Sequence, residues 1–121
     1  MTAHTATKAP DTNTELCREF NELVNMAPAE LDKWLQTEQS KVVGQKPEER
    51  DESLGHESGR HVVAIKRKRR AELTEADYHQ MQRVVSYIKR HTAQRPDGDV
   101  SDTRWRYSLM NWGYDPLKAE G

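Results

Sequence analysis

Apolar residues recur at the spacing of an α-helix along most of this chain, and the clearest case is residues 73–92, LTEADYHQMQRVVSYIKRHT. The apolar residues that share one face of this helix are Tyr78, Met81, Val85 and Ile88. Thr74 and Asp77 stand at the spacing of a capping box, and Pro96 follows as a helix breaker. The segment therefore predicts a long helix that begins near Thr74 and ends before Pro96.

Two shorter helices are predicted in the first third of the chain. Residues 14–26 carry an apolar stripe made of Leu16, Phe20, Leu23 and Val24. Thr14 is suited to cap this helix, and Pro28 is suited to the first position of a second helix that extends to about residue 38. Almost nothing separates the two helices, so we expect them to meet at a corner.

Residues 57–72 predict a third helix, with Val62 and Ile65 facing the core. The last helix is expected to start at an N-cap on Ser101 and to end at a C-terminal cap on Gly113. No strand pattern of useful length appears between these segments. The sequence therefore predicts an all-α protein, with about five helices in a small single-domain bundle.

The predicted domain organisation follows from length and composition. A chain of 121 residues with 34% hydrophobic and 32% charged residues has room for one domain with a modest core. We expect residues 1–13 to form a disordered N-terminal tail and residues 14–118 to form the single helical domain. Between helices two and three lies a long polar loop, in which residues 44–55 are predicted to be flexible because they offer little apolar area to bury.

Charge is unevenly distributed, although the net charge is only −1. Residues 1–57 carry six Lys and Arg against twelve Asp and Glu, whereas residues 58–121 carry thirteen against eight. The basic half contains an unbroken run, Lys66, Arg67, Lys68, Arg69 and Arg70. One interpretation is a solvated helix end, where cations interact favourably with the helix dipole. The other is a patch that grips phosphate groups.

Three stretches of the sequence carry a resemblance to a known family. They are FNELVNMAPAELDKWL at 20–35, GRHVVAIKRKRRAELTEADYHQMQRVVSYIKRH at 59–91 and DTRWRYSLMNWGYDPLK at 102–118. Together they resemble a small microbial family of helical proteins of unknown function, some members of which carry the label "DNA-binding protein". The resemblance covers most of residues 16–118. It implies a helical fold and a nucleic-acid role, and it supplies no catalytic or binding residues.

Other classes of protein find little support in the sequence. The five histidines show no metal-ligand spacing, no glycine-rich phosphate loop occurs, and the acidic residues follow no catalytic pattern. We therefore expect no enzyme activity, no metal and no cofactor. The chain has one cysteine, no apolar run of transmembrane length and no signal-peptide core. An intracellular location without a membrane partner is expected, in the cytoplasm or nucleoid, or in the nucleus if the source is eukaryotic.

The functional prediction is a small protein that binds DNA, or RNA, through phosphates with low sequence specificity. The residues expected to make the contacts are Arg60, Lys66, Arg67, Lys68, Arg69, Arg70, Lys89 and Arg90. Lys89 and Arg90 belong to the end of the long helix, so two smaller patches are as compatible with the sequence as one large patch. The alternative function is a non-enzymatic protein-interaction module or homo-oligomer, in which the acidic half of one chain meets the basic half of another.

Overall fold

The computed structural model describes residues 12–43 and 54–120. Within these ranges there are seven α-helices and no strand: α1 (Thr12–Leu23), α2 (Pro28–Leu35), α3 (Glu38–Val42), α4 (Leu54–Lys66), α5 (Glu75–Thr92), α6 (Arg104–Asn111) and α7 (Pro116–Glu120). One turn of 3-10 helix, Arg70–Glu72, precedes α5. The predicted all-α class is confirmed, and the predicted number of five helices is too low. Most of the predicted tail and loop, at 1–11 and 44–53, lies outside the described residues.

The two helices that sequence analysis missed are each five residues long, too short to show a periodic stripe. Helix α3 is capped by Thr37, whose hydroxyl oxygen accepts the Ser40 backbone N–H at 3.2 Å. Helix α7 begins at Pro116. The Asp115 carboxylate caps it by accepting the Leu117 N–H at 3.0 Å. A proline at the first helical position lacks only an N–H that would have no helical partner there.

The predicted boundaries of the long helix α5 are correct. Thr74 caps α5 by accepting the Asp77 N–H at 3.1 Å, and the Asp77 carboxylate accepts the Thr74 N–H at 3.0 Å. Helix α5 ends at Thr92, before Pro96, as expected. The start of α6 differs, because its N-cap is Thr103 and not Ser101. Helices α1 and α4 both begin earlier than predicted, at Thr12 and Leu54.

The core lies between two packed helix pairs. Helix α1 packs on α5, α2 packs on α4, and α6 contacts α2, α3, α4 and α5. The largest side chains that are almost fully buried are Phe20, Met26, Leu31, Met81, Ile88 and Leu109. The apolar stripes predicted on α1 and α5 both face this core. In the described part of the chain, no helix is both long enough and apolar enough to cross a membrane.

Two polar side chains join the short helices to this core. Asn111 of α6 is 1% exposed, and its Oδ1 accepts the Trp34 indole N–H at 2.8 Å. Its amide nitrogen donates to the Ser40 carbonyl at 3.0 Å, so one residue links α2, α3 and α6. Arg106 of α6 forms a bidentate ion pair with Asp115, in which Nε and Nη2 donate to the two carboxylate oxygens at 3.1 and 3.0 Å. This pair connects α6 to the start of α7. Buried polar groups such as these are costly to leave unpaired.

Candidate functional site

The basic run does not lie inside a helix, in contrast to the predicted helix over 57–72. Helix α4 ends at Lys66, and the chain then turns before Arg70–Glu72. The Arg67 N–H is shared between the Val63 and Ala64 carbonyls, and the Lys68 N–H bonds to the Ile65 carbonyl at 3.0 Å. The bonds to Ala64 and Ile65 span three residues instead of four, and they tighten the last turn at the end of the helix. We call residues 66–70 the basic corner, because they connect the end of α4 to the start of α5.

A buried carboxylate anchors the basic corner. Asp77, which is 3% exposed, accepts a bond from Lys68 Nζ at 2.6 Å and contacts His61 Nε2 at 2.9 Å. Burial alone would raise the pKa of Asp77. The bonds from Lys68, Thr74 and His61 outweigh that effect and hold this pKa well below its usual range. The Lys68 ammonium group is therefore committed to an internal ion pair, and we remove Lys68 from the predicted phosphate contacts.

Two arginines of the basic corner point towards solvent. Arg67 is exposed, and the side chain of Arg69 is 85% exposed. The Arg69 backbone N–H donates to Glu72 Oε1 at 2.8 Å, which caps the 3-10 turn. The Glu72 carboxylate also lies 3.6 Å from the Arg69 guanidinium and offsets part of its charge. The turn thus has a defined backbone conformation, from which both guanidinium groups extend outward.

The remaining two cations of the basic corner lie against neighbouring side chains. Lys66 Nζ donates to Asn21 at 3.3 Å and lies 6.0 Å from the Phe20 ring centre, and burial lowers the pKa of Lys66. Arg70 is exposed, and its Nε donates to the Tyr78 hydroxyl at 3.1 Å. Part of each side chain is therefore occupied by α1 or α5. The corner offers Arg67, Arg69 and part of Arg70 to a ligand.

The other three predicted contact residues are not part of the basic corner. Helices α4 and α5 run antiparallel, as shown by the contacts of His61 with Asp77 and of Ser58 with Gln80. Arg60 is exposed on α4. Lys89 forms an ion pair with Glu19 of α1. Residues 89 and 90 lie about 20 Å along α5 from Asp77, at a rise of about 1.5 Å per residue. The eight predicted residues therefore do not form one continuous patch.

Sequence reasoning missed two features of this region. Asp77 was recognised as a helix cap but not as the partner of Lys68, because a separation of nine residues follows no local pattern. Trp112 is half buried and lines surface grooves, and no local sequence pattern identified it as part of a site. Arg83 and Arg90 border one of these grooves. Their separation of seven residues, two helical turns, is the sequence signal that would have placed them on one face.

In the described ranges, no three His, Cys, Asp or Glu side chains are grouped as ligands of a metal ion would be. That finding does not decide whether the protein has an enzymatic activity or a cofactor. Both expected absences stay predictions.

Comparisons with known proteins identify one family. A sequence model of that family matches residues 19–110, and its description reads "Protein of unknown function (DUF3140)". The match confirms the resemblance to a family of unknown function, and the description contains nothing about DNA binding. No curated protein and no solved structure matches the chain.

Proposed function

This chain belongs to the DUF3140 family, and we propose that it associates with nucleic acid, DNA or RNA, through phosphate contacts made by the basic corner. The proposal assigns these contacts to Arg67, Arg69 and Arg70. Arginine suits the task because its planar guanidinium group pairs with two phosphate oxygens at once and is weakly hydrated. Contacts to phosphates alone carry little information about base sequence, so low sequence specificity is expected.

The observation that carries this proposal is the anchored conformation of the corner. The backbone turn is held on one side by Lys68 bound to buried Asp77, and on the other by the Glu72 cap on the Arg69 N–H. A turn that is already ordered loses less conformational entropy when its side chains bind a ligand. A solvated helix end would need neither restraint. The small number of contacts and the net charge of −1 predict weak binding at physiological salt.

The experiment is a salt titration of binding to duplex DNA. Three phosphate contacts predict a log–log slope of about −2.7, since each contributes about −0.9. Replacing Arg67, Arg69 and Arg70 with Gln should bring the slope close to zero. The matched control replaces the exposed residues Lys33, Lys41 and Arg104 with Gln, which changes the net charge equally. This control should keep most of the slope, because specific contacts would be intact.

Absence of binding to duplex DNA, single-stranded DNA or RNA at low salt would contradict the proposal. The basic corner would then be a solvated turn, and the alternative function would take precedence. That alternative is an interaction module in which the acidic half of one copy meets the basic half of another. A solution mass that rises with protein concentration and falls with added salt would support it.

A further inference from the structure

A second candidate surface lies around Trp112. One open groove of about 450 Å³ follows α5, another of about 470 Å³ lies between α4 and α5, and a third of about 410 Å³ reaches α6. Trp112 lines all three, so we call them together the Trp112 groove. Arg83 lines the first two, and Arg90 lines the first and third. The groove therefore combines an aromatic side chain with two cations, and Glu57 also lines the part between α4 and α5.

Trp112 forms part of an ordered aromatic stack. Its ring lies 4.2 Å from that of Tyr87 at an angle of 11°, and Tyr87 in turn stacks on His91 at 5.0 Å. The other two tryptophans, Trp34 and Trp105, donate their indole N–H to protein acceptors at 2.8 and 2.7 Å. For Trp112, the described part of the chain provides no such acceptor. The indole of Trp112 is thus half buried, with one face stacked on Tyr87, and it lines the groove in a fixed orientation.

Arg83 is held in place by a buried side chain. Its Nε and Nη2 donate to Gln80 Oε1 at 3.1 and 2.6 Å. Gln80 is 3% exposed, and its amide nitrogen donates to the Ser58 hydroxyl, which is also buried. A buried glutamine that presents its carbonyl oxygen to a surface arginine orients the guanidinium group before any ligand arrives. Such preorganisation favours binding of an anion at a defined place.

Arg90 lies on the same face of α5 as Arg83, two turns further on. The rise between them along the helix axis is about 10 Å. Tyr87, whose ring stacks on Trp112, lies between them along α5. Burial raises the pKa of the Tyr87 hydroxyl, and the nearby charge of Arg90 acts in the opposite direction. The order along the groove is therefore cation, aromatic platform, cation. One phosphate group is poorly matched to two cations so far apart, whereas a strand with a phosphate on each side of a base fits this order.

We propose that the Trp112 groove binds an unpaired nucleotide of a single-stranded nucleic acid, with its base against Trp112 and its flanking phosphates paired with Arg83 and Arg90. This inference rests on the proposed function and adds a preference for single strands to it. Aromatic side chains in a basic groove bind single strands with little regard to sequence, because every base has a π-face. Bases in a duplex are already stacked on each other and would have to leave that stack first.

The test compares three probes on the unmodified protein: a short oligothymidylate, an abasic strand of equal length and charge, and a duplex of the same length. Stacking on one aromatic side chain predicts that the oligothymidylate binds at least about fivefold more tightly than the abasic strand. The variant R83Q/R90Q should lower the salt slope for the single strand by about 1.4, since each lost contact contributes about 0.7. The control variant K33Q/K41Q, with the same charge change, should keep that slope.

Equal affinity for the oligothymidylate and the abasic strand would overturn the inference, as would an unchanged slope in R83Q/R90Q. If the R67Q/R69Q/R70Q variant alone loses binding to all probes, the proposed function stands and the Trp112 groove has no part in it. If the unmodified protein binds none of the probes, both proposals fail. Arg83 and Arg90 are exposed, so their replacement should leave the fold intact, and a circular dichroism spectrum checks this.

Discussion

Lys68 and Arg69 are neighbours in the sequence but have opposite surroundings. The Lys68 ammonium group is bound to a carboxylate that is 3% exposed, whereas the Arg69 side chain is 85% exposed. Both residues contribute one positive charge to the same run. Only the side chain that lacks a buried partner can pair with a phosphate without first breaking an internal ion pair. At the scale of single residues, the surroundings of each charge matter more than the number of charges in the run.

Two glycines allow backbone strain to be separated from steric overlap. Gly98 and Gly113 both have positive φ, at +83° and +95°. An added Cβ at Gly98 would meet nothing within 4 Å, whereas one at Gly113 would lie 2.9 Å from Val24 Cγ1. We expect Gly98→Ala to reduce the free energy of unfolding by about 1 kcal/mol, because alanine is strained in the left-handed backbone conformation. Gly113→Ala should cost about 1–3 kcal/mol more because it overpacks the core.

Urea unfolding of the two variants at pH 7 measures this difference. If the two variants lose the same free energy of unfolding, Val24 moves aside at no cost. The close approach of Val24 to Gly113 would then have no structural importance.

The start of α5 combines two functions in one element. Asp77 completes the capping box with Thr74, and it also holds Lys68 and contacts His61. Capping is a local interaction between residues three positions apart, whereas the ion pair joins α5 to the turn that follows α4. The N-terminus of α5 therefore sets both the start of the helix and the shape of the basic corner.

The lowered pKa of Asp77 predicts that part of the folding stability is lost in acid. Because its pKa is lower in the folded protein than the unfolded value of about 3.9, its contribution to stability is present above that value. The contribution is lost progressively as the pH falls below about 5. We expect Asp77→Asn to reduce the free energy of unfolding by about 1–3 kcal/mol at pH 7, the range for a hydrogen bond to a charged group. At pH 3 the difference from the unmodified protein should be smaller.

Urea unfolding at the two pH values measures the effect. The control is Asp32→Asn, at an exposed position of α2, which should follow the pH dependence of the unmodified protein. A loss in Asp77→Asn that is the same at pH 3 and pH 7 would show that the carboxylate contributes through its shape and not through its charge.

At the scale of the whole molecule, α1 is joined to the rest of the domain mainly through its packing on α5. Phe20 is 1% exposed and belongs to the core formed with Met81, Val85 and Ile88. Lys89 and Glu19 add an ion pair across the same interface. None of the three tryptophans lies on α1. Tryptophan fluorescence therefore reports how the rest of the core responds when α1 is weakened.

We expect Phe20→Ala to reduce the free energy of unfolding by about 3–5 kcal/mol, a large part of the 5–15 kcal/mol typical of a domain. Far-ultraviolet circular dichroism and tryptophan fluorescence should still give the same urea midpoint, because one core connects α1 to the other helices. Leu23→Ala, at a half-buried position, should cost less. Separate midpoints in Phe20→Ala would show that α1 unfolds independently.

Much of the fold was predictable because its signals are local. The apolar stripe of α5, its cap at Thr74 and the turn at Gly113 depend on residues within a few positions of each other, and the structure confirms all three. The short helices α3 and α7 were missed because five residues cannot show a helical period. The end of α4 was misplaced because residues 66–72 are mostly good helix formers, and contacts with α5 override that preference.

The sequence by itself determined the helical class, the capping box of α5 and the presence of a basic run, since each follows from the backbone and its nearest neighbours. Only the tertiary structure decided which basic residues face a ligand. Lys68 is paired because antiparallel packing brings Asp77 beside it, and Lys89 is paired because α1 lies on α5. Trp112 is half buried in a groove that Arg83 and Arg90 also line. The availability of a charge depends on partners that are distant in sequence, and no local pattern contains that information.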